Sequence, residues 1–330
     1  MSAAQQVILM GQSDGFLYRN WQSVAMSSDG TKMVAVVYGG QIYTSTDSGV
    51  TWVAIAGTTG GWKSVAMSSD GTKMVAAREN YQSGAYPSGV YISTNSGATW
   101  NAAPSPIPSS SNNWTDVAIS ANGATMLAVY WSRGIFISTD SGASWTDKIS
   151  AFNTAQENCN FYLADMSSDG TNMMVAAGST GDVFQSTDYG VTWVKWSYGT
   201  SKAFKERGGA MSSDGSKRYA CAYPSSGSPS FFSSVNGGST WVSISKTGFV
   251  FVATSSDGTK LLGVSKAGAA NNYGYLYTST DSGSTWVMRD SYRSWQSVAM
   301  SSDGTKMVAV VYGGQIYTST DSGVSWVRVF

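Results

Sequence analysis

The chain has no histidine among its 330 residues, two cysteines and six prolines. Each shortage excludes something. Without histidine there is no Ser-His or Cys-His nucleophile pair and no His-ligated zinc site. Cys159 and Cys221 can make at most one bridge, so no disulfide framework is expected, and two buried thiols are the simpler reading. Charged residues are only 12% of the chain, 20 basic against 20 acidic. That balance gives no basic footprint for a nucleic acid. No apolar run approaches the roughly 18 residues of a membrane-spanning helix. The opening Met-Ser-Ala-Ala-Gln-Gln lacks a basic segment, so no signal peptide is visible. Secretion is expected only if the chain is a mature form. Disorder is excluded by a hydrophobic content of 42% arranged in strand-like runs.

Glycine and repetition are abundant. There are 37 glycines, and one motif, Ser-x-Asp/Asn-x-Gly-x-x-Trp, occurs seven times. Its acidic or amide residues are Asp47, Asn95, Asp140, Asp188, Asn236, Asp281 and Asp321. Its tryptophans are Trp52, Trp100, Trp145, Trp193, Trp241, Trp286 and Trp326, spaced 48, 45, 48, 48, 45 and 40 residues apart. Upstream of each copy lies Ser-Ser-Asp-Gly or a variant, with its aspartate at Asp29, Asp70, Asp169, Asp214, Asp257 or Asp303, and Asn122 in the third copy. Asp-Gly and Asn-Gly between apolar runs mark hairpins, because both central residues tolerate positive φ.

Each unit therefore reads as four short strands, A to D, rich in Val, Ile, Tyr, Trp and Thr. No segment shows a capped 3.6-residue period, so almost no helix is expected. Four strands every 40–48 residues predict an all-β fold, a seven-bladed β-propeller of four-stranded antiparallel blades. A two-sheet sandwich would lack this long period. The expected blades are about 21–56, 62–103, 114–149, 158–198, 206–246, 249–289 and 295–330. Residues 1–20 form a stub in which Ile8–Tyr18 reads as a degenerate C–D hairpin, edging or closing the last blade. Trp21–Val53 and Trp295–Val327 are copies that differ only at Thr51 and Ser325. Identical blades carry identical minimal loops, so a specific site is expected over blades 2 to 6.

The repeated motif resembles the Asp-box, or BNR repeat. That repeat is found in sialidases, xyloglucan-degrading glycosidases, sortilin-type receptor propellers and photosystem II assembly-factor propellers. The resemblance covers residues 21–330 and implies that the box lies in the C–D turn at the outer edge, away from the ligand face. The side-chain chemistry agrees, since Asp, Asn and Ser can accept N–H bonds within their own turn. A sialidase is further implied to carry an Arg-Ile-Pro segment, an arginine triad and a Tyr–Glu pair. No Arg-Ile-Pro occurs here, and nothing specifies a triad among Arg78, Arg133, Arg207, Arg218 and Arg293. Xyloglucan-degrading relatives are usually two-propeller proteins, far longer than this chain.

A site is expected on the variable connections, because loops on a rigid scaffold carry binding. A–B and C–D turns share one rim and are nearly uniform; B–C and D–A connections share the other and vary. The latter hold Glu79, Glu157 and Glu206, together with Arg78, Arg133, Arg207 and Arg293. They also hold Tyr81, Tyr86, Trp131, Trp196, Tyr198, Tyr223, Tyr273 and Tyr292. Aromatic faces among polar groups suit a sugar or peptide. Two carboxylates stand out on the innermost strand: Asp116 replaces the Ser of Ser23, Ser64 and Ser297, and Asp165 the Ala of Ala25, Ala66 and Ala299. They are either solvated in a wet channel or a general acid/base pair of the glycosidase kind, with Glu157 and Glu206 as further catalytic candidates. Asn113-Trp114-Thr115 is a glycosylation sequon, relevant in a secretory route. The leading expectation is a non-catalytic, monomeric binding protein for a glycan or protein ligand, without metal or cofactor. A glycosidase or lyase is the alternative, and a scaffold or assembly factor the second.

Overall fold

A computed structural model describes residues 19–81, 87–108, 113–132, 134–149, 160–178, 181–197, 202–203, 208–224, 230–245, 248–266 and 273–330. Among them every regular element is a β-strand and every pairing is antiparallel. The expected meander is seen plainly in Trp114–Ile119, Met126–Tyr130, Gly134–Ser138 and Thr146–Asp147, which form one four-stranded sheet in chain order. The all-β propeller expected from the repeat is the fold observed.

The A–B hairpins share one register. Trp21 pairs with Val37, the register slips, and Ser23 to Met26 pair with Val36 to Met33. The same slip follows Trp62, Trp114, Phe161, Phe249 and Trp295. Such bulges bend a strand and raise its twist, here where it begins to line the axis. The rings at this position are fully buried. Each removes enough apolar surface for its truncation to alanine to destabilise by about 3–5 kcal/mol.

Neighbouring units are joined at the A–B turns by a closed ring of backbone hydrogen bonds. Ser28 N–H donates to Ser69 O, Ser69 to Ala121, Ala121 to Ser168, Ser168 to Ser213, Ser213 to Ser256, Ser256 to Ser302, and Ser302 back to Ser28, all at 2.8–2.9 Å. Lysines reinforce it. Lys32 Nζ donates to Asp70 O at 2.9 Å, Lys73 to Asn122 O at 3.2 Å and Lys260 to Asp303 O at 2.8 Å. The Lys306 stem lies under Gly30, where a Cβ would stand 2.8 Å from its Cδ, and Gly30 has φ +65°. Turn conformation and close approach together require glycine there.

The first and last units meet at the Ser302–Ser28 junction. Arg19 and Asn20 pair with Gly314 and Tyr312 of the last unit. Phe330 returns the contact, its ring 5.9 Å from Trp21 and 5.6 Å from Tyr43, with Arg19 over it at 5.3 Å. The expected first break between units differs: Val53–Met67 is one continuous strand, ending the first unit and opening the second, with Gly57 at φ +77° within it. The hairpin expected within residues 1–18 lies outside the described residues, as does Cys159; Cys221 is buried.

Candidate functional site

The box residues close their own turns. In the first copy, Ser45 Oγ donates to Asp47 Oδ1 at 2.8 Å and accepts from Gly49 N–H at 2.9 Å. Asp47 also accepts Thr51 N–H and Thr51 Oγ1–H, and Trp52 Nε1–H donates to Gly49 O. Asn95 and Asn236 make the same backbone bond with their amide oxygens. These donors hold Asp281 and Asp321 down at about 2 and lower Asp47 and Asp140; at Asp188 burial pushes up, and the donors together outweigh it. The A–B aspartates are treated alike: the Ser27 hydroxyl, then the Thr31 backbone, hold Asp29 at about 2. All of these carboxylates are consumed by their turns. No group of three or more His, Cys, Asp or Glu able to hold a metal exists among the described residues.

The axial channel is lined by the A strands. At the variable-loop end a cavity of about 210 Å³ is bordered by Ser23, Ser64, Ser297, Asp116 and Asp165. It leads past a layer of alanines to a mouth bordered by Met26, Met67, Met166, Met211 and Met300. Asp116 links units: Ser64 Oγ–H donates to its Oδ1 at 2.6 Å, and Ala164 N–H to its Oδ2 at 2.9 Å. Ser23 and Ser297 accept Val65 and Val24 N–H in the same way, both at 3.3 Å. Asp116 thus does a serine's work with a longer reach.

Asp165 is different. Its Oδ1 accepts the adjacent Met166 N–H at 2.9 Å. Burial, with a smaller contribution from Asp116, pushes its carboxyl up to about 7, against the pull of the Met166 N–H and Arg218. Part of its surface reaches the channel. It could hold a proton near neutrality, as a general acid does.

Arg218 is a functional-looking group that the sequence reading did not single out for this place. It is wholly buried in a strand B position held by Met33, Met74, Met126, Met173, Met307 and Leu261 elsewhere. Its Nε donates to Gly215 O at 3.0 Å, Nη1 to Gln185 Oε1 at 2.7 Å and Nη2 to Asn172 Oδ1 at 3.0 Å. The loss of methionine at this repeat position was the available signal. Three neutral acceptors make it a polar key between units.

On the variable-loop side, Arg78 proves to be part of the fold. It lies in Met74–Glu79, is 7% exposed, donates to Pro87 O and Tyr91 Oη, and stacks 4.1 Å from the Tyr91 centroid and 5.2 Å from Trp62. Arg293 stacks likewise over Tyr317 and Trp295, with Asp290 at 3.8 Å. Glu79 is bridged to Lys63 at 3.2 Å. Lys63 lies over the Tyr38 ring, and Tyr81 meets that ring edge-on at 5.3 Å. Burial, then the hydrogen bond to Glu79, push the Tyr38 phenol up to about 12. A tyrosine so held stays protonated and is a poor nucleophile.

Three of the expected aromatics are well exposed: Tyr273 at 50%, Tyr292 at 44% and Trp131 at 42%. Trp196 is half-buried against Trp241 and Phe232. The backbone of Tyr223 pairs with Ala203. Tyr86, Arg133, Glu157, Tyr198, Glu206 and Arg207 lie outside the described residues.

No family model matches the chain, and no curated protein matches it. Solved structures do. The GH74 xyloglucanase from Xanthomonas campestris has a TM-score of 0.73 at 16% identity, over 94% of this chain and 53% of its own. YCF48 from Cyanidioschyzon merolae has a TM-score of 0.67 at 16% identity, over 94% of this chain and 98% of its own. A YCF48 bound to D1 peptide gives 0.63 at 14%, over 93% and 94%. The chain spans about half the length of that xyloglucanase. At such identities the likeness concerns architecture alone: the chain has the β-propeller fold that it shares with these structures.

Proposed function

We propose that this protein is a non-catalytic binding propeller whose ligand, a glycan or an extended protein segment, lies on the face formed by the B–C and D–A connections. One observation carries the reading: the turn carboxylates and the A–B turn backbone of the other face are engaged within the fold. Its turns close a ring of backbone bonds, and its carboxylates are saturated by their own turns. Ligand contacts are then left to the variable connections, which a rigid ring holds in place. The YCF48 bound to D1 peptide and the GH74 xyloglucanase support the two ligand classes.

The alternative is a hydrolase or lyase acting through Asp165, whose carboxyl holds a proton near pH 7. Against it stand the engagement of Asp116 as an inter-unit link and the protonated Tyr38. Incubation with a panel of neutral and acidic polysaccharides, read as new reducing ends, separates the two. No release is expected. Release that disappears in Asp165→Asn would overturn the binding reading. A pure assembly scaffold would show neither release nor glycan retention.

A further inference from the structure

Tyr38 and Tyr312 occupy the same position of the two near-identical units, Trp21–Val53 and Trp295–Val327. Sequence reasoning set those units aside as carrying only minimal Tyr-Gly-Gly loops. The ring places them side by side. Asn20 of the first unit pairs with Tyr312 of the last, and Tyr81 meets the Tyr38 ring edge-on at 5.3 Å. Tyr312 N–H donates to Ser294 O at 2.8 Å, two residues beyond Tyr292. Tyr292 in turn stacks on Tyr273, centroids 5.5 Å apart and planes 22° from parallel, and lies 5.4 Å from Tyr275. Tyrosines therefore follow the rim from the sixth unit through the seventh and first to the second. Tyr273, Tyr292 and Tyr312 are all more than 40% exposed.

The charges along this arc are spent locally. Lys63 is held by Glu79 and Tyr38, and Arg293 by Asp290 and the Tyr317 ring. Arg19 and Arg78 are turned onto rings of the fold, Tyr43 with Phe330 and Trp62 with Tyr91, so what the arc mainly offers outward is rigid amphipathic rings. Such rings supply apolar area and a polar tip together. The same tyrosine recurs from one unit to its duplicate, half-buried at Tyr38 and 43% exposed at Tyr312, so one ring contact recurs at the spacing of a unit. A ligand built of identical units matches such a surface better than a peptide of unlike side chains. We infer that the tyrosine arc of Tyr273, Tyr292, Tyr312 and Tyr38 is the track for an uncharged polysaccharide chain. This inference rests on the variable-loop face being the binding face.

Native affinity electrophoresis tests it, with hydroxyethyl cellulose, xyloglucan or dextran in the gel and polygalacturonate as the charged counterpart. At least one neutral polymer is expected to retard the intact chain, with no loss on raising salt. Tyr312→Ala and Tyr273→Ala should each weaken retardation about three- to tenfold. Tyr312→Phe should keep most of it, and thermal midpoints should not move. Retardation by polygalacturonate alone, or by no neutral polymer, overturns the inference. Variants retarded like the parent chain overturn the arc while leaving glycan binding elsewhere on the face. Capture of an extended peptide without any glycan overturns the polysaccharide and leaves the binding reading standing. New reducing ends in the gel would instead contradict that reading.

Discussion

Replacing Asp165 by alanine should make the protein more stable, and only above mildly acidic pH. Six of the seven equivalent positions are already alanine: Ala25, Ala66, Ala118, Ala210, Ala253 and Ala299. The backbone therefore accepts the smaller side chain. The Asp165 carboxyl is raised from 3.8 to about 7 by burial first and by Asp116 second. A raised acid holds its proton in the folded chain while the unfolded chain loses it. Between about pH 4 and 7 the native state thus binds more protons, and stability falls as pH rises. Above about 7 the penalty is complete; below about 4 both states are protonated and it vanishes. Three units correspond to about 4 kcal/mol as a ceiling, reduced by channel water and by loss of the bond to Met166 N–H. We expect a gain of about 1–4 kcal/mol at pH 8 and close to none at pH 4, from urea unfolding at both values. Equal effects at the two pH values, or destabilisation at pH 8, would refute this account of Asp165.

Arg218→Met should destabilise by about 2–4 kcal/mol, because Gln185 and Asn172 lose a buried donor. Adding Gln185→Thr, the residue at Thr44 and Thr278, should recover part of the loss in a double-mutant cycle. Phe330→Ala should destabilise by about 1–2 kcal/mol in chemical unfolding, since it removes the ring that closes on Trp21 and Tyr43. Acid should weaken the fold in a defined window: turn carboxylates held near 2, such as Asp29, Asp70 and Asp303, stabilise fully above about 4 and lose that contribution as pH falls toward 2. Thermal midpoints across that range check it.

The architecture was legible because its signals are local. Asp29-Gly30 announces a hairpin within a few residues, and Ser45 to Trp52 closes a turn with its own side chains. The site was less legible because its facts are relational. Arg78 reads as a loop arginine until Trp62 and Tyr91, on other strands, are seen to enclose it. Asp116 stands out in sequence as an inner-strand carboxylate, but the Ala164 N–H that it accepts comes from the next unit, 48 residues away. Arg218 could have been noticed as a break in the methionine column, but its partners Gln185 and Asn172 are 33 and 46 residues away. Tyr38 and Tyr312 are uninformative as identical positions in sequence, and only the pairing of the first unit with the last brings the two units together.

The most direct test of ligand placement is amide hydrogen exchange on the protein saturated with a polysaccharide that retards it. Slower exchange should map to the variable-loop face, around residues 38–41, 290–294 and 312–315, and leave the Ser28, Ser168 and Ser302 turns unchanged. Protection centred on those turns, or along the channel at Asp165, would contradict it.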